Sequence, residues 1–312
     1  MEKQIVLISC PVGKLARRCF EDGFAQLKRI ELVFCDRSAL GFESYLSQAS
    51  IVVDWQLSAE EIVDAENLKF FYCWGVGTDK IDLASLRARG VLVRKLNVFC
   101  ARSIAEYVLM QVLVWERELL KWNEKGKTGH WLWHERNDFL FRELSDLNIV
   151  ILGLGSIGKE IAKLFSKLGT RPYVATRNKN AHWDDLEFCD VISFSDIYEV
   201  LPTCDYLSVN IPLDESTVHI IDKKILSMLN NRSVIINTSR GRIIYEKDLV
   251  YYLRNNLIRG ASLDVTLKEP LPENNAFSGL DNVIITCHHS GYSRLAVVNF
   301  CNALIDDVRR IY

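Results

Sequence analysis

The segment Ile149-Val150-Ile151-Leu152 runs directly into Gly153-Leu154-Gly155-Ser156-Ile157-Gly158, then into residues of helical period that end near Gly169. An apolar run feeding G-x-G-x-x-G and a helix commits this stretch to a βαβ unit. Gly153 permits the tight turn, Gly155 lets phosphate oxygens approach the backbone, and Gly158 lets the helix pack close to the strand. The first N–H groups of that helix, which Ser156 and Ile157 open, lack intrahelical partners and sit at its positive dipole end. The loop therefore reads as a seat for a dinucleotide pyrophosphate. Glycine triplets also occur in ordinary turns, and the strand-before, helix-after context separates the two cases.

A chain of 312 residues accommodates about two domains. Its 49% apolar and 25% charged residues are those of an ordinary soluble globular protein. The net charge of −2, with no basic block, argues against a nucleic-acid groove. No apolar stretch approaches the roughly 20 residues that span a bilayer. Met1-Glu2-Lys3-Gln4 leads at once into the strand-like Ile5-Val6-Leu7-Ile8, so no signal peptide is expected. The nine cysteines are scattered and never form C-x-x-C, which argues for reduced thiols in a cytoplasm and against a metal site.

Short β-rich runs alternate with helical-period segments throughout. Strands are expected at Ile5–Cys10, Glu31–Cys35, Ile51–Asp54, Leu68–Cys73 and Val91–Val93. A second set is expected at Ile149–Leu152, Tyr173–Thr176, Tyr206–Asn210, Ser233–Asn237, Ala261–Asp264 and Val283–Thr286. Between the sets, one long helix is predicted from about Arg102 to Trp122, followed by a loop containing Trp131 and Trp133. Such alternation predicts the α/β class: two doubly wound parallel-sheet domains, with a terminal helix returning to the first.

Four further segments carry chemistry. Asn237-Thr238-Ser239-Arg240-Gly241 follows one strand, and Leu263-Asp264-Val265 precedes Glu269-Pro270-Leu271-Pro272. Thr286-Cys287-His288-His289-Ser290-Gly291 closes the last strand, and Gly75-Val76-Gly77-Thr78-Asp79-Lys80-Ile81-Asp82 follows a strand of the first set. In this order, together with the glycine loop, they resemble the NAD(P)-dependent D-isomer-specific 2-hydroxyacid dehydrogenases, with the glyoxylate/hydroxypyruvate reductases as the nearest type. The resemblance covers about Phe71 to Tyr292. It implies a Rossmann cofactor domain at 98–288 and a flavodoxin-like substrate domain at 1–97 with 289–312, with a cleft between them.

The residue types suit that chemistry. Hydride delivery to a 2-oxo acid leaves negative charge on the carbonyl oxygen, so the site needs a proton donor and a cation for the carboxylate. Arg240 offers a planar fork for a carboxylate. His288 is suited to giving and taking a proton near neutral pH. Glu269 can accept from the other imidazole nitrogen. The resemblance makes these three the catalytic Arg, Glu and His, and gives Val76 and Gly77 the backbone N–H groups that meet the substrate carboxylate. His289 competes with His288. In extended backbone adjacent side chains point to opposite faces, and the family's Thr-Pro-His-x-(Ala or Ser)-Gly pattern aligns on His288. Cys287 stands where that pattern has Pro.

A 2′-hydroxyl is usually held by an acidic residue about 20 positions after the glycine loop. Here that position is Thr176, followed by Arg177 and Lys179, which suits a 2′-phosphate and favours NADP(H) over NAD(H). By resemblance, Asn210 and Pro212 border the nicotinamide ribose, Thr238 lies beside them, and Asp264 faces the carboxamide. Lys95-Leu96-Asn97-Val98-Phe99-Cys100 departs from the family's Asn-x-Pro-Gly run, so Phe99, Cys100, Trp131 and Trp133 are candidates for the pocket wall. Trp115, Trp122, Trp131 and Trp133 supply aromatic anchors for a homodimer, which the family's dimer-forming segment implies. The rival reading is a nucleotide-sensing or corepressor-like binding protein of the same fold; a third exchanges the substrate for 4-phosphoerythronate or a formate-like donor.

Overall fold

The alternating runs form two parallel sheets in the computed structural model, which describes residues 3–131, 140–178 and 186–312. The chain divides into one unit of Met1–Cys100 with Tyr292–Tyr312 and another of Ala101–Gly291.

In the first unit the strands are β1 (Gln4–Ile8), β2 (Ile30–Phe34), β3 (Ala49–Asp54), β4 (Phe70–Cys73) and β5 (Leu92–Lys95), ordered β2-β1-β3-β4-β5. This is the 2-1-3-4-5 order of flavodoxin-like sheets. Central β3 is buried along its whole length, as a parallel strand covered on both faces must be. The Lys14–Phe24 helix turns Ala16, Phe20 and Phe24 inward at four-residue spacing. The Arg294–Ile311 helix packs beside it through Val297, Phe300, Cys301, Leu304, Ile305 and Val308. Gly23 permits that approach, because a Cβ there would fall 2.2 Å from Ile305 Cδ1.

The second unit holds β6 (Ile149–Leu152), β7 (Tyr173–Thr176), β8 (Asp190–Ser193), β9 (Tyr206–Val209), β10 (Val234–Asn237), β11 (Gly260–Leu263) and β12 (Val283–Ile285). Their order is β12-β11-β10-β9-β6-β7-β8, so the sheet reverses direction between β6 and β9. Open α/β sheets bind ligands at the carboxyl ends of strands beside such a switch point. Sequence patterning anticipates six of these strands and misses β8, a half-buried edge strand of four residues with no extended apolar run.

The expected helix from Arg102 to Trp122 is two helices, Ala101–Glu116 and Leu119–Lys127, broken where Glu118 takes φ 43°. Neither Gly nor Pro announces the break. Tertiary contacts make it: Arg259 Nη2 donates to the Trp115 carbonyl at 2.5 Å, capping the first helix. The buried Glu116 carboxylate accepts from Tyr206 Oη at 2.6 Å, Arg259 Nη1 at 2.9 Å and Arg142 Nη2 at 3.0 Å. A buried carboxylate is tolerated when so fully paired. Trp115 also turns inward: its Nε1 donates to Ser262 Oγ at 2.8 Å, and its ring leaves no room for a Cβ at Gly260. It is half-buried and committed to contacts within its own unit.

Candidate active site

The glycine loop shows three separate steric requirements. Gly153 has φ +100°, and a Cβ there would lie 2.6 Å from the Asn210 carbonyl oxygen. A Cβ at Gly158 would lie 1.9 Å from the Gly153 carbonyl oxygen, so helix and turn touch backbone to backbone. A Cβ at Gly155 would meet nothing within 4 Å, leaving open space over the start of the Ser156–Lys167 helix. These residues fit a dinucleotide pyrophosphate: the space lies where the helix presents its first N–H groups, with Ser156 and Ile157 in its opening turn.

The sheet order strings the other candidates along the same carboxyl edge. Next to the glycine loop, Asn210 follows β9; its Nδ2 donates to Ser208 Oγ at 2.9 Å and its Oδ1 accepts from Thr238 Oγ1 at 3.3 Å. The Pro212 carbonyl accepts from Thr217 Oγ1 at 2.7 Å. After β10, Asn237 clamps the next turn, its Oδ1 accepting from Ser239 N and its Nδ2 donating to the Arg240 carbonyl, both at 3.0 Å. Arg240 leaves the strand with extended backbone, and its Nη1 donates to the Ser239 carbonyl at 2.8 Å.

Gly241 decides what lies beside Arg240. A Cβ at this position would fall 2.1 Å from the Thr266 carbonyl carbon and 2.5 Å from Leu267 N, so only glycine admits the loop after β11 this closely. That loop carries Glu269, whose Oε1 accepts from Thr266 N at 3.1 Å and whose Oε2 lies 2.8 Å from His288 Nδ1. Burial pushes the Glu269 carboxyl up, but the His288 bond and charge, the Thr266 N–H and the Arg240 charge together hold it below the usual value. Glu269 is thus ionised at neutral pH and accepts the His288 Nδ1 proton. Nε2 of a ring that is 48% exposed remains to act outward.

Asp264, following β11, is buried and organises the loop after β12. Its Oδ1 accepts from Thr286 Oγ1 at 2.6 Å and His289 N at 3.0 Å, and its Oδ2 from Ser290 N at 2.9 Å. Its carbonyl accepts from His288 N at 2.9 Å. Burial raises the Asp264 carboxyl, and the Ser290 and Thr286 hydrogen bonds and loop amides more than offset it, leaving the net value below normal. Because Thr286 gives its proton to Asp264, the Tyr107 hydroxyl 2.7 Å away must donate to Thr286. The lone-pair directions of this carboxylate are thereby largely occupied from within the protein.

Two histidines sit side by side here with different surroundings. His288 pairs with Glu269, whereas the His289 ring rests edge-on against Tyr107 at 5.9 Å between centroids. The expectation of extended backbone at this point is corrected, since His288 has φ 54°. It is the left-handed turn, rather than strand alternation, that sends the two rings apart.

At the opposite end of the edge, Thr176 Oγ1 accepts from Asn178 N at 3.3 Å. Arg177 Nη1 donates to Ser216 Oγ at 2.7 Å, and its Nη2 lies 3.6 Å from Asp214 Oδ2. Lys179 lies outside the described residues. Val76 and Gly77 are in the first unit, half-buried on the loop after β4. Phe99 packs against the core of that same unit, Cys100 is half-buried, Trp131 is exposed, and Trp133 lies outside the described residues. Cys287 is an exposed free thiol. Among the described residues no cluster of three His, Cys, Asp or Glu could hold a metal, and no helix is long and apolar enough to cross a membrane.

Sequence reasoning missed Tyr107, the load carried by Thr286, the steric role of Gly241, and the Asp214–Ser216 contact with Arg177. Only Gly241, a glycine directly after a strand-end arginine, carried a local signal.

Comparison with known proteins gives a consistent picture. Residues 109–290 match the family model described as D-isomer specific 2-hydroxyacid dehydrogenase, NAD binding domain. A glyoxylate reductase of Thermofilum pendens is 30% identical over 234 residues, covering 75% of this chain and 68% of that protein. D-lactate dehydrogenase of Aquifex aeolicus, solved with NAD and lactic acid, superposes with a TM-score of 0.84 at 22% identity, covering 99% of this chain and 95% of that one. The NADPH-dependent glyoxylate/hydroxypyruvate reductase of Sinorhizobium meliloti, solved with NADP and malonate, gives a TM-score of 0.80 at 22% identity over 99% and 93% of the two chains. At that identity the solved structures establish the fold.

Proposed function

Because the chain belongs to the D-isomer specific 2-hydroxyacid dehydrogenase family, we propose that Arg240, Glu269 and His288 form the catalytic group of a 2-oxo acid reductase working on glyoxylate- or hydroxypyruvate-like substrates. The protein is an oxidoreductase that moves a hydride between a nicotinamide cofactor and C2 of a small 2-oxo or D-2-hydroxy acid. The observation that carries the assignment of residues is the 2.8 Å bond between His288 Nδ1 and Glu269 Oε2, beside Arg240 and on the same sheet edge as the glycine loop.

When bound, the nicotinamide supplies or removes the hydride. Arg240 holds the substrate carboxylate with its planar fork and polarises the neighbouring carbonyl. Val76 and Gly77, on the loop after β4 of the first unit, are by resemblance the residues whose backbone N–H groups would meet a substrate carboxylate. In reduction, protonated His288 gives its Nε2 proton to the carbonyl oxygen as negative charge develops there, and keeps its Nδ1 proton on Glu269. In oxidation it takes the proton back. Glu269 fixes the ring's orientation by accepting its Nδ1 proton. Gly153, Gly155, Ser156, Ile157 and Gly158 hold the pyrophosphate; Asn210, Pro212 and Thr238 border the nicotinamide ribose. Asp264 anchors the His288 loop and, by resemblance to the family, would face the carboxamide.

NADP(H) is the favoured cofactor, supported by Thr176 in the acidic position and by the exposed guanidinium of Arg177 next to it. The free state of all nine cysteines supports a cytoplasmic setting. The exposed apolar residues Met110, Leu113, Leu119 and Leu120 support a homodimer. A corepressor-like binder would bind cofactor without turnover. The deciding experiment follows NADPH or NADH oxidation by purified protein across a panel of 2-oxo acids. Glyoxylate and hydroxypyruvate should be reduced faster with NADPH, and absence of turnover with every acid and both cofactors would overturn the enzymatic reading.

A further inference from the structure

The arginine proposed for the 2′-phosphate is anchored by a loop two strands away, across β6. After β9, Asp214 Oδ1 accepts from Ser216 N at 2.9 Å and from Ser216 Oγ at 2.5 Å. The Ser216 hydroxyl gives its proton to Asp214, so a lone pair of its oxygen is what accepts Arg177 Nη1 at 2.7 Å. Arg177 Nη2 lies 3.6 Å from Asp214 Oδ2, beyond hydrogen-bond range but within that of an ion pair. The Ser216 hydroxyl above all, with the Ser216 amide and the Arg177 charge, holds the Asp214 carboxyl below its usual value against the opposing effect of desolvation, so it is anionic at neutral pH. The guanidinium is therefore held at the end of β7, directly after Thr176, with both its terminal nitrogens turned toward the Asp214–Ser216 loop.

These two neighbours act in opposite senses on a 2′-phosphate. Ser216 removes rotamer freedom that Arg177 would otherwise lose on binding a phosphate. Asp214 supplies the lone-pair partner that orients Ser216, but its negative charge, 3.6 Å from Arg177 Nη2, also repels any dianion that pairs with the same guanidinium. Two anions sharing one guanidinium lie roughly 6 Å apart, where a unit charge and a phosphate dianion in high dielectric repel enough to matter and are screened by salt.

Building on the NADP(H) reading above, we infer that Asp214 and Ser216 set the strength of 2′-phosphate recognition: Ser216 holds Arg177 ready, and Asp214 tempers the affinity for the phosphate so that NAD(H) remains a usable second cofactor. Asp214 is a specificity-determining residue that acts by charge. Asp214→Asn keeps an acceptor for the Ser216 amide and hydroxyl while removing that charge, which separates the electrostatic effect from the scaffold effect.

The test is calorimetric binding of NADP+, NAD+, adenosine 2′,5′-bisphosphate and AMP to wild type, Asp214→Asn, Ser216→Ala and Arg177→Ala. Asp214→Asn should tighten NADP+ and the bisphosphate by about three- to tenfold at about 0.05 M salt, with the gain shrinking at about 0.5 M, and should leave NAD+ and AMP within about twofold. Ser216→Ala should weaken only the two 2′-phosphorylated ligands. If Asp214→Asn leaves NADP+ unchanged or weakens it while wild type still prefers NADP+, Asp214 is a scaffold and this inference falls alone. If wild type binds the bisphosphate no better than AMP, and Arg177→Ala alters neither, the NADP(H) reading fails and takes this inference with it.

Discussion

His288 occupies a backbone conformation with φ 54° that a non-glycine residue adopts only when its surroundings impose it. Here Asp264 imposes it, accepting the amides of His288, His289 and Ser290 through its carbonyl and carboxylate. The two neighbouring rings should therefore respond very differently to truncation. His288→Ala should lower kcat by about 10²–10⁴-fold, the scale of losing a general acid, with cofactor Kd unchanged; His289→Ala should stay within a few-fold. Steady-state kinetics on both variants decides the matter, and the reverse pattern would mean that the proton is carried by the second histidine. Arg240→Lys keeps a charge but loses the fork, so KM for the 2-oxo acid should rise and kcat fall together. Unchanged constants would remove Arg240 from the substrate. Arg240, Glu269 and His288 were legible in the sequence because the chemistry demands those residue types in strand-end segments. Tyr107 was not, because its partner Thr286 lies 179 residues further on and nothing local marks either. Asp214 and Ser216 escaped notice for the same reason: their significance is a contact with Arg177 on another strand.

Among the elements, the loop after β12 depends on one buried carboxylate more than on its own sequence. Removing Asp264 strands the Thr286 hydroxyl and two loop amides in a partly buried setting. Asp264→Ala should cost about 2–4 kcal/mol, seen as a lower Tm. The folded-state pKa of Asp264 lies below its unfolded value. Its stabilisation is accordingly complete above the unfolded value of about 4 and is lost as pH falls through the folded value. Wild type should thus lose stability more steeply than Asp264→Asn as pH falls below about 4, and Tm measured on that acid limb would show parallel curves if Asp264 were not responsible. The central strands were readable from the sequence because a parallel strand covered on both faces is a continuous apolar run, as β6 and β10 are. Edge strand β8 has no such run. The helix break at Glu118 was invisible because Arg259, 141 positions downstream of it in sequence, caps the preceding turn.

For the whole molecule, assembly follows from which apolar side chains each unit leaves uncovered. Trp115 is committed to Ser262 and Gly260 inside its own unit, so a tryptophan count overstates the surface anchors. What remains exposed on the Ala101–Glu116 helix is Met110 and Leu113, three residues apart and therefore on one face, continued by Leu119 and Leu120 at the start of the next helix. An apolar face of this kind is costly to leave in water, and a two-fold axis is the commonest way to cover it. In an isologous interface every residue is used twice, so one substitution places two charges in the contact. Met110→Glu combined with Leu113→Glu should convert a dimer into a monomer at micromolar concentration, measured by light scattering. Wild-type Tm should rise with protein concentration, and that dependence should vanish in the double variant. A wild-type monomer mass at micromolar concentration would end the dimer proposal. A double variant that stays dimeric would move the interface elsewhere, because two buried carboxylates per protomer, unpaired against the same face of the second copy, cannot be accommodated without cost.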